Sequence, residues 1–392
     1  MHVPAGAAIR VLALADHLGH PDGRIHGGTT YFINCYPALQ RAGVELTACF
    51  LGEEHPAGQR LRDAGVHPIF LNRAKWDPRA YGDVKRLMAR CKPQIAHLAS
   101  YKSNLIGRLL APRFACRTIV HVHDQFAPRG IIGLLQRRVA ARTDLGIGVS
   151  EAVRQMVVKA YAIPEHRTTT LFNGLDTSRY TVANHEARSA LRGEFRIAST
   201  TTLVALIGRF DPVKGHDDAL EAVRQLRAEG RDVALIMIGD GPTRSSIEKR
   251  VDSLGLEDAT YFTGQRDDIP ELLAAVDVVL IPSHSEGMSF VAVEAMAAGR
   301  CLVAYATGGL PDIIHHEKSG LLAPTGNVGA LAEALARVLD DEDLRNRLAR
   351  EGRRQVDRYS IDVHVARLLN IYQSVLNGDP IMAAMTEANS RG

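Results

Sequence analysis

Residues Leu203–Ile238 read LVALIGRFDPVKGHDDALEAVRQLRAEGRDVALIMI. An apolar run, Leu203–Ile207, meets a turn rich in Gly, Pro and charge. A helical period over Asp217–Ala228 follows, then a second apolar run, Val233–Ile238. Runs this short and this continuously apolar suit strands covered on both faces, and strand, helix, strand is the unit of a parallel sheet. The same alternation extends in both directions. Upstream strands are expected at Arg10–Leu14, Glu45–Phe50, His67–Leu71, Gln94–Leu98, Thr118–His121, Leu145–Val149 and Thr169–Phe172. Downstream they are expected at Thr260–Phe262, Val276–Ile281 and Cys301–Tyr305. A dozen strands exceed one eight-stranded barrel, so the pattern predicts an α/β chain of two open, doubly wound domains.

The boundary is expected where the pattern lapses. Domains are predicted over residues 1–178 and 203–360, with a linker over 179–202. A last helix, Ile361–Leu376, lies within 361–378, and 379–392 forms a tail. The 392 residues carry a net charge of +3, which conceals an asymmetry. Through Ser178 there are 23 basic and 13 acidic residues, net +10; from Arg179 onward there are 24 and 31, net −7. A basic half points to an anionic partner. Five cysteines without a C-x-x-C pair argue against a disulfide scaffold or zinc ribbon, so reduced thiols and a cytoplasmic location are expected. No apolar run approaches the ~18 residues of a membrane span, and the N-terminus lacks a secretory pattern. A single Trp and 5% aromatics leave little to stack on single-stranded nucleic acid, and no nucleic-acid partner is expected.

Four constellations carry chemistry. Gly27-Gly28, with Thr29, opens a helix after the first strand, where backbone N–H groups attract an anion. Gly208–Gly215 (GRFDPVKG) places Arg209 and Lys214 around a turn at a strand's carboxyl end, suiting a diphosphate. Ser283–Glu294 (SHSEGMSFVAVE) leads from a strand into a helix, with Gly287, Met288 and Ser289 amides at its start. Were Glu286 and Glu294 both helical, eight residues would separate them by about 12 Å. That exceeds the roughly 5–9.5 Å of hydrolytic carboxylate pairs. Two carboxylates that position a ligand fit better than an acid/base pair. His121-Val122-His123-Asp124 closes a strand, with both imidazoles on one face: either a metal site or a structural pair. Gly239-Asp240-Gly241 gives G-x-G after a strand, but Arg244 stands where a dinucleotide fingerprint needs a third glycine.

In this order, GRFDPVKG, IGDGP (Ile238–Pro242), FTG (Phe262–Gly264), PSHSEGMSFVAVEAMAAG (Pro282–Gly299), GGLPDII (Gly308–Ile314) and SGLLAP (Ser319–Pro324) form a specific signature. With Gly27-Gly28, His123-Asp124 and Asn173-Gly174-Leu175-Asp176, the chain resembles the retaining glycosyltransferases of family 4. The resemblance implies the GT-B fold: two facing Rossmann-like domains with parallel sheets and a C-terminal helix crossing back to the first. It implies transfer from a nucleotide-sugar, a UDP-sugar in the commonest case, to an acceptor hydroxyl, with no metal and no other cofactor. Gly208, Arg209, Lys214, Gly239 and Glu286–Ser289 would hold the donor's diphosphate and sugar, and Glu294 its ribose. His123 would stand near the reacting centre. Gly27, Gly28 and Thr29 would meet phosphate or acceptor, with Asp124 and Asn173 on the acceptor side. The acceptor, whether glycan, lipid-linked sugar or small molecule, stays open. The competing readings are a nucleotide-sugar epimerase on the same fold and a metal-dependent hydrolase using His121 and His123. The basic, partly apolar segment Arg129–Val139 reads either as a packed helix or as a peripheral contact with the inner face of a membrane.

Overall fold

The computed structural model describes residues 8–19, 23, 25, 27–180 and 185–379. Its strands form two parallel sheets. The first contains β1 (Arg10–Ala15), β2 (Glu45–Phe50), β3 (Ile69–Phe70), β4 (Ile95–Ala99), β5 (Arg117–Val122), β6 (Leu145–Gly148) and β7 (Thr168–Thr170), ordered β3-β2-β1-β4-β5-β6-β7. The second contains β8 (Thr202–Ile207), β9 (Val233–Ile238), β10 (Thr260–Gly264), β11 (Val278–Ile281), β12 (Cys301–Tyr305) and β13 (Leu321–Ala323), ordered β10-β9-β8-β11-β12-β13. Residues of β9 are buried throughout, as expected of a strand with helices on both faces. In each sheet the strand order reverses at the first strand, beside β1 and beside β8. That reversal opens a crevice at the carboxyl ends, where α/β sheets take ligands.

The two sheets belong to two compact units. One comprises residues 1–175 together with 359–392, the other 176–358. The final helix, Ile361–Asn377, is part of the first unit and packs on the helix Gly27–Arg41. Leu175 N donates to Tyr359 O at 2.9 Å and Ile361 N to Leu175 O at 2.8 Å, so the chain's departure from this unit lies beside its return.

The stretch expected as a linker differs. It contains the helix His185–Phe195, which packs on the helix Ile269–Ala275 within the second unit. Arg188 and Arg192 pair with Asp277 at 2.6 and 3.0 Å, and the same carboxylate accepts from Leu203 N at 2.8 Å. A strand also appears at Leu321–Ala323, inside SGLLAP, where none was expected. All five cysteines are free, and burial pushes the thiols of Cys35, Cys49, Cys116 and Cys301 up to about 12. Of the expected tail, residues 380–392 lie outside the described residues.

Candidate functional site

In the second unit the loops after β8 and β11 flank the strand-order reversal. They are joined by His284 N donating to Val213 O at 2.7 Å. Gly215 holds a left-handed φ of 70° against the second loop, and a Cβ there would stand 2.0 Å from Pro282 O. Asp211 caps the intervening turn through Val213 N at 3.2 Å. The loop after β9 joins them. Gly208 N donates to Ile238 O and Phe210 N to Asp240 O, and a Cβ on Gly239 would stand 2.0 Å from Gly208 O. Backbone thus packs on backbone, leaving the side chains to define the surface.

The two cations are present, and each has a carboxylate. Lys214 Nζ donates to Glu286 Oε1 at 2.6 Å, and Arg209 pairs with Asp211 at 3.0 Å. Ser283 Oγ donates to the same Glu286 oxygen at 2.9 Å, and Glu286 O accepts from Gly309 N at 3.0 Å. Glu286 is not helical. It lies in the loop before the helix Phe290–Ala297, which Ser289 caps through Ala292 N at 3.3 Å, so the axial spacing calculated for two helical carboxylates does not apply. Met288 and Ser289 are buried and Gly287 is half-buried. Glu294, within the helix, accepts from Tyr180 OH at 3.0 Å. Burial raises its carboxyl above the usual range, against the lowering effect of the Tyr180 hydrogen bond.

Sequence reading missed Ser283 and Tyr180. The serine's role needs the loop to turn back on itself over three residues, and Tyr180 stood in the presumed linker. A third missed group is Asp218, which accepts from Tyr305 OH at 2.7 Å and lies 3.2 Å from His284 Nε2. Arg244, in the place of the absent third glycine, lies over the Phe262 ring, 4.3 Å from its centroid.

In the first unit, Gly27 and Gly28 begin the helix Gly27–Arg41, with Gly27 exposed. Thr29 is buried and its hydroxyl donates to Leu18 O at 2.7 Å. At the other side of the reversal, Asp16 follows β1 and accepts from Lys102 N and Ser103 N at 3.0 and 2.7 Å. It thereby caps the helix Tyr101–Leu110 after β4. His123 follows β5, half-buried, its ring 4.1 Å from that of His121 and 4.3 Å from that of Tyr31. Asp124 accepts from Phe126 N at 2.9 Å and turns the chain. Asn173 is buried, after β7.

His121 sits in a chain of hydrogen bonds reaching the last helix. Its Nδ1 is 3.0 Å from His97 Nε2, and His97 Nδ1 is 2.6 Å from Tyr372 OH. Burial depresses the pKa of His97 to about 3 and drives that of His121 well below the ordinary range. With both imidazoles neutral and the buried phenol protonated, Tyr372, His97 and His121 form an uncharged hydrogen-bonded chain. Among the described residues no group of three or more His, Cys, Asp or Glu has an arrangement that could hold a metal. Of the pair expected as either metal ligands or structural histidines, His121 is drawn into this network and His123 meets it through a ring contact.

The fold is that of the GT-B glycosyltransferases, two parallel-sheet Rossmann-like domains. A sucrose-phosphate synthase from Thermosynechococcus elongatus shares it, with a TM-score of 0.79 at 21% identity over 94% of this chain and 100% of that one. Anabaena Alr3699/HepE, solved with UDP, gives 0.82 at 20% over 93% and 100%. The sequence is more specific. Residues 25–179 match the family described as Glycosyltransferase Family 4, and residues 187–355 match Glycosyl transferases group 1. A phosphatidylinositol monomannoside mannosyltransferase from Mycobacterium tuberculosis is 30% identical over 63% of this chain and 68% of its own length. The chain belongs to glycosyltransferase family 4. A 2-deoxystreptamine glucosyltransferase from Streptomyces kanamyceticus is 42% identical over 36% of each chain. This chain spans 36–58% of the length of that protein and of two other relatives, an N-acetyl-alpha-D-glucosaminyl L-malate synthase from Bacillus anthracis and a D-inositol 3-phosphate glycosyltransferase from Saccharomonospora viridis.

Proposed function

We propose that the chain transfers a sugar from a nucleoside-diphosphate sugar, UDP-linked in the first instance, to an acceptor hydroxyl with retention of configuration. The observation that carries this reading is the Lys214–Glu286–Ser283 array at the reversal of the second sheet, with Glu294, paired to Tyr180, on the helix that follows. A cation and a carboxylate held on loops after adjacent strands, with a second carboxylate on the helix that follows, match a ligand with phosphate at its middle and hydroxyls at both ends. In this reading Arg209 and Lys214 take the diphosphate, Glu286 the sugar hydroxyls and Glu294 the ribose. Gly208, Gly239 and the Gly287–Ser289 backbone line the donor. The first unit takes the acceptor, with Gly27, Gly28, Thr29, Asp124 and Asn173 on that side and His123 serving the developing charge.

The reaction breaks the bond between the anomeric carbon and the phosphate oxygen. Negative charge grows on the leaving diphosphate, where a fixed cation is most effective. The acceptor oxygen bonds to the anomeric carbon on the face the phosphate leaves, and its proton passes to the departing phosphate oxygen. No metal is required. Support for a UDP donor comes from the Anabaena protein, solved with UDP and with UDP-glucose. The mycobacterial relative is named GDP-mannose-dependent, so GDP-mannose is the first competitor to test.

A screen of nucleotide-sugars by nucleotide release, followed by acceptors with the winning donor, tests the reading. Lys214→Ala and Glu294→Ala are expected to abolish transfer with the melting transition retained; wild-type turnover in either refutes the site. NMR of the product's anomeric proton reads retention, and a trapped covalent glycosyl–enzyme species would overturn the same-face mechanism.

A further inference from the structure

The helix Gly130–Arg138 packs inside out. Ile131, Leu134 and Arg138 fall on one side, at i, i+3 and i+7, with Leu135 beside them. Ile131 is 74% exposed, Leu134 55% and Leu135 41%. The residues turned inward are Gly133 and Gln136. Gly133 lies so close to the preceding loop that a Cβ would stand 2.6 Å from Pro128 O. Gln136 is held by polar contacts instead of apolar packing. Its Nε2 donates to Tyr101 O at 2.7 Å, and its Oε1 accepts from the guanidinium of the buried Arg108. Arg108 also donates to Asn104 O at 3.0 Å and Thr143 Oγ1 at 3.2 Å, so the clip is well satisfied. An amphipathic helix ordinarily buries its apolar stripe. Here the polar side is fastened down and the apolar side faces outward.

Phe126, in the loop leading to this helix, is 63% exposed. The large hydrophobic side chains exposed among the described residues are Ile25, Trp76, Phe126, Ile131, Leu134 and Leu135, and four of these lie within ten residues. Around them stand the exposed Arg129, Arg137, Arg138 and Arg142, and residues 125–143 contain no Asp or Glu.

We infer that this face docks on an anionic lipid bilayer, with the apolar side chains in the interface and the arginines at the headgroups. The chemistry combines buried apolar area with attraction to anionic lipid, the two contributions that hold interfacial helices. A second copy of the chain is a poorer occupant, because two-fold pairing would set the arginines of one copy against those of the other. Nucleic acid would match the arginines but not the apolar stripe. The helix has nine residues and no described helix is long and apolar enough to cross a membrane, so the contact lies along the surface.

The test uses the full chain, and no nucleotide-sugar, so its failure leaves the transfer reading standing. Flotation with phosphatidylcholine vesicles and with vesicles containing phosphatidylglycerol is expected to show at least tenfold stronger binding to the anionic ones, weakening as salt rises. The variant Ile131→Gln/Leu134→Gln/Leu135→Gln changes exposed side chains only and is expected to lose that binding at least tenfold with an unchanged melting temperature. Arg137→Gln/Arg138→Gln is expected to weaken it and flatten its salt dependence. Equal binding to both vesicles, binding to neither, or undiminished binding of the triple variant overturns the inference. So does lipid-free dimerisation that the triple variant abolishes.

Discussion

Glu294 carries a cost to the fold that its proposed role in donor binding would account for. Its carboxyl has a pKa raised by burial from an ordinary 4.5, so the folded chain holds this proton to higher pH than the unfolded chain does. Ionising it therefore removes stability as pH rises through the raised value; the contribution is complete only below the unfolded one. Glu294→Gln keeps an oxygen for Tyr180 and removes the desolvated charge. It is expected to stabilise the second unit by about 1 kcal/mol near neutral pH, a few degrees in Tm, while donor turnover collapses. The gain should vanish in thermal melts well below pH 4.5, and a gain that persists there would show that charge is not its source. Lys214, Glu286 and Glu294 stand out as candidates from residue type and from their place after apolar strands. Their partners do not. Ser283 lies three residues from Glu286, but only the fold shows that its hydroxyl turns back, and Tyr180 reaches Glu294 across 114 residues of sequence.

The elements follow the same rule. Strands β9 and β12 stand where apolar runs predicted them, at Val233–Ile238 and Cys301–Tyr305, because burial on both faces leaves a local signature. The helix His185–Phe195 left none. Besides its packing on the helix Ile269–Ala275, it is clamped electrostatically, through Arg188 and Arg192 to an aspartate some 85 residues on. A polar stretch fastened by a distant carboxylate looks like a linker when read locally. Asp277→Ala would strand Arg192, whose side chain is almost wholly buried, and also remove an acceptor from Leu203 N. Breaking such a buried pair is expected to cost about 3 kcal/mol, read as a lower urea midpoint for the second unit. An unchanged midpoint would show that the carbonyls of Ala198 and Thr201, which also accept from Arg192, suffice.

For the whole molecule, the charge contrast and the returning last helix were both visible in the sequence, whereas the points of division were not. They fall at Leu175 and Tyr359, whose backbones are hydrogen-bonded. Because the crossings are adjacent, residues 176–358 are expected to be replaceable by roughly six Gly and Ser residues. The product should melt cooperatively by circular dichroism. A chain ending at Leu175 should not, since it lacks Tyr372, the partner of the buried His97, and the helix packed on Gly27–Arg41. Equal melting of the two would make the last helix dispensable.

The same interruption sets a timetable on the ribosome. The unit that begins the chain is also the unit that ends it, and the whole of 176–358 is synthesised before its final helix exists. At about 5–20 residues per second, the delay is roughly 10–40 s. The usual order, with the N-terminal domain completed first, is therefore reversed: the second unit is contiguous and free to fold while the first waits with His97 uncovered. Until the last helix docks, the face of Gly27–Arg41 that it covers is expected to be open to aggregation.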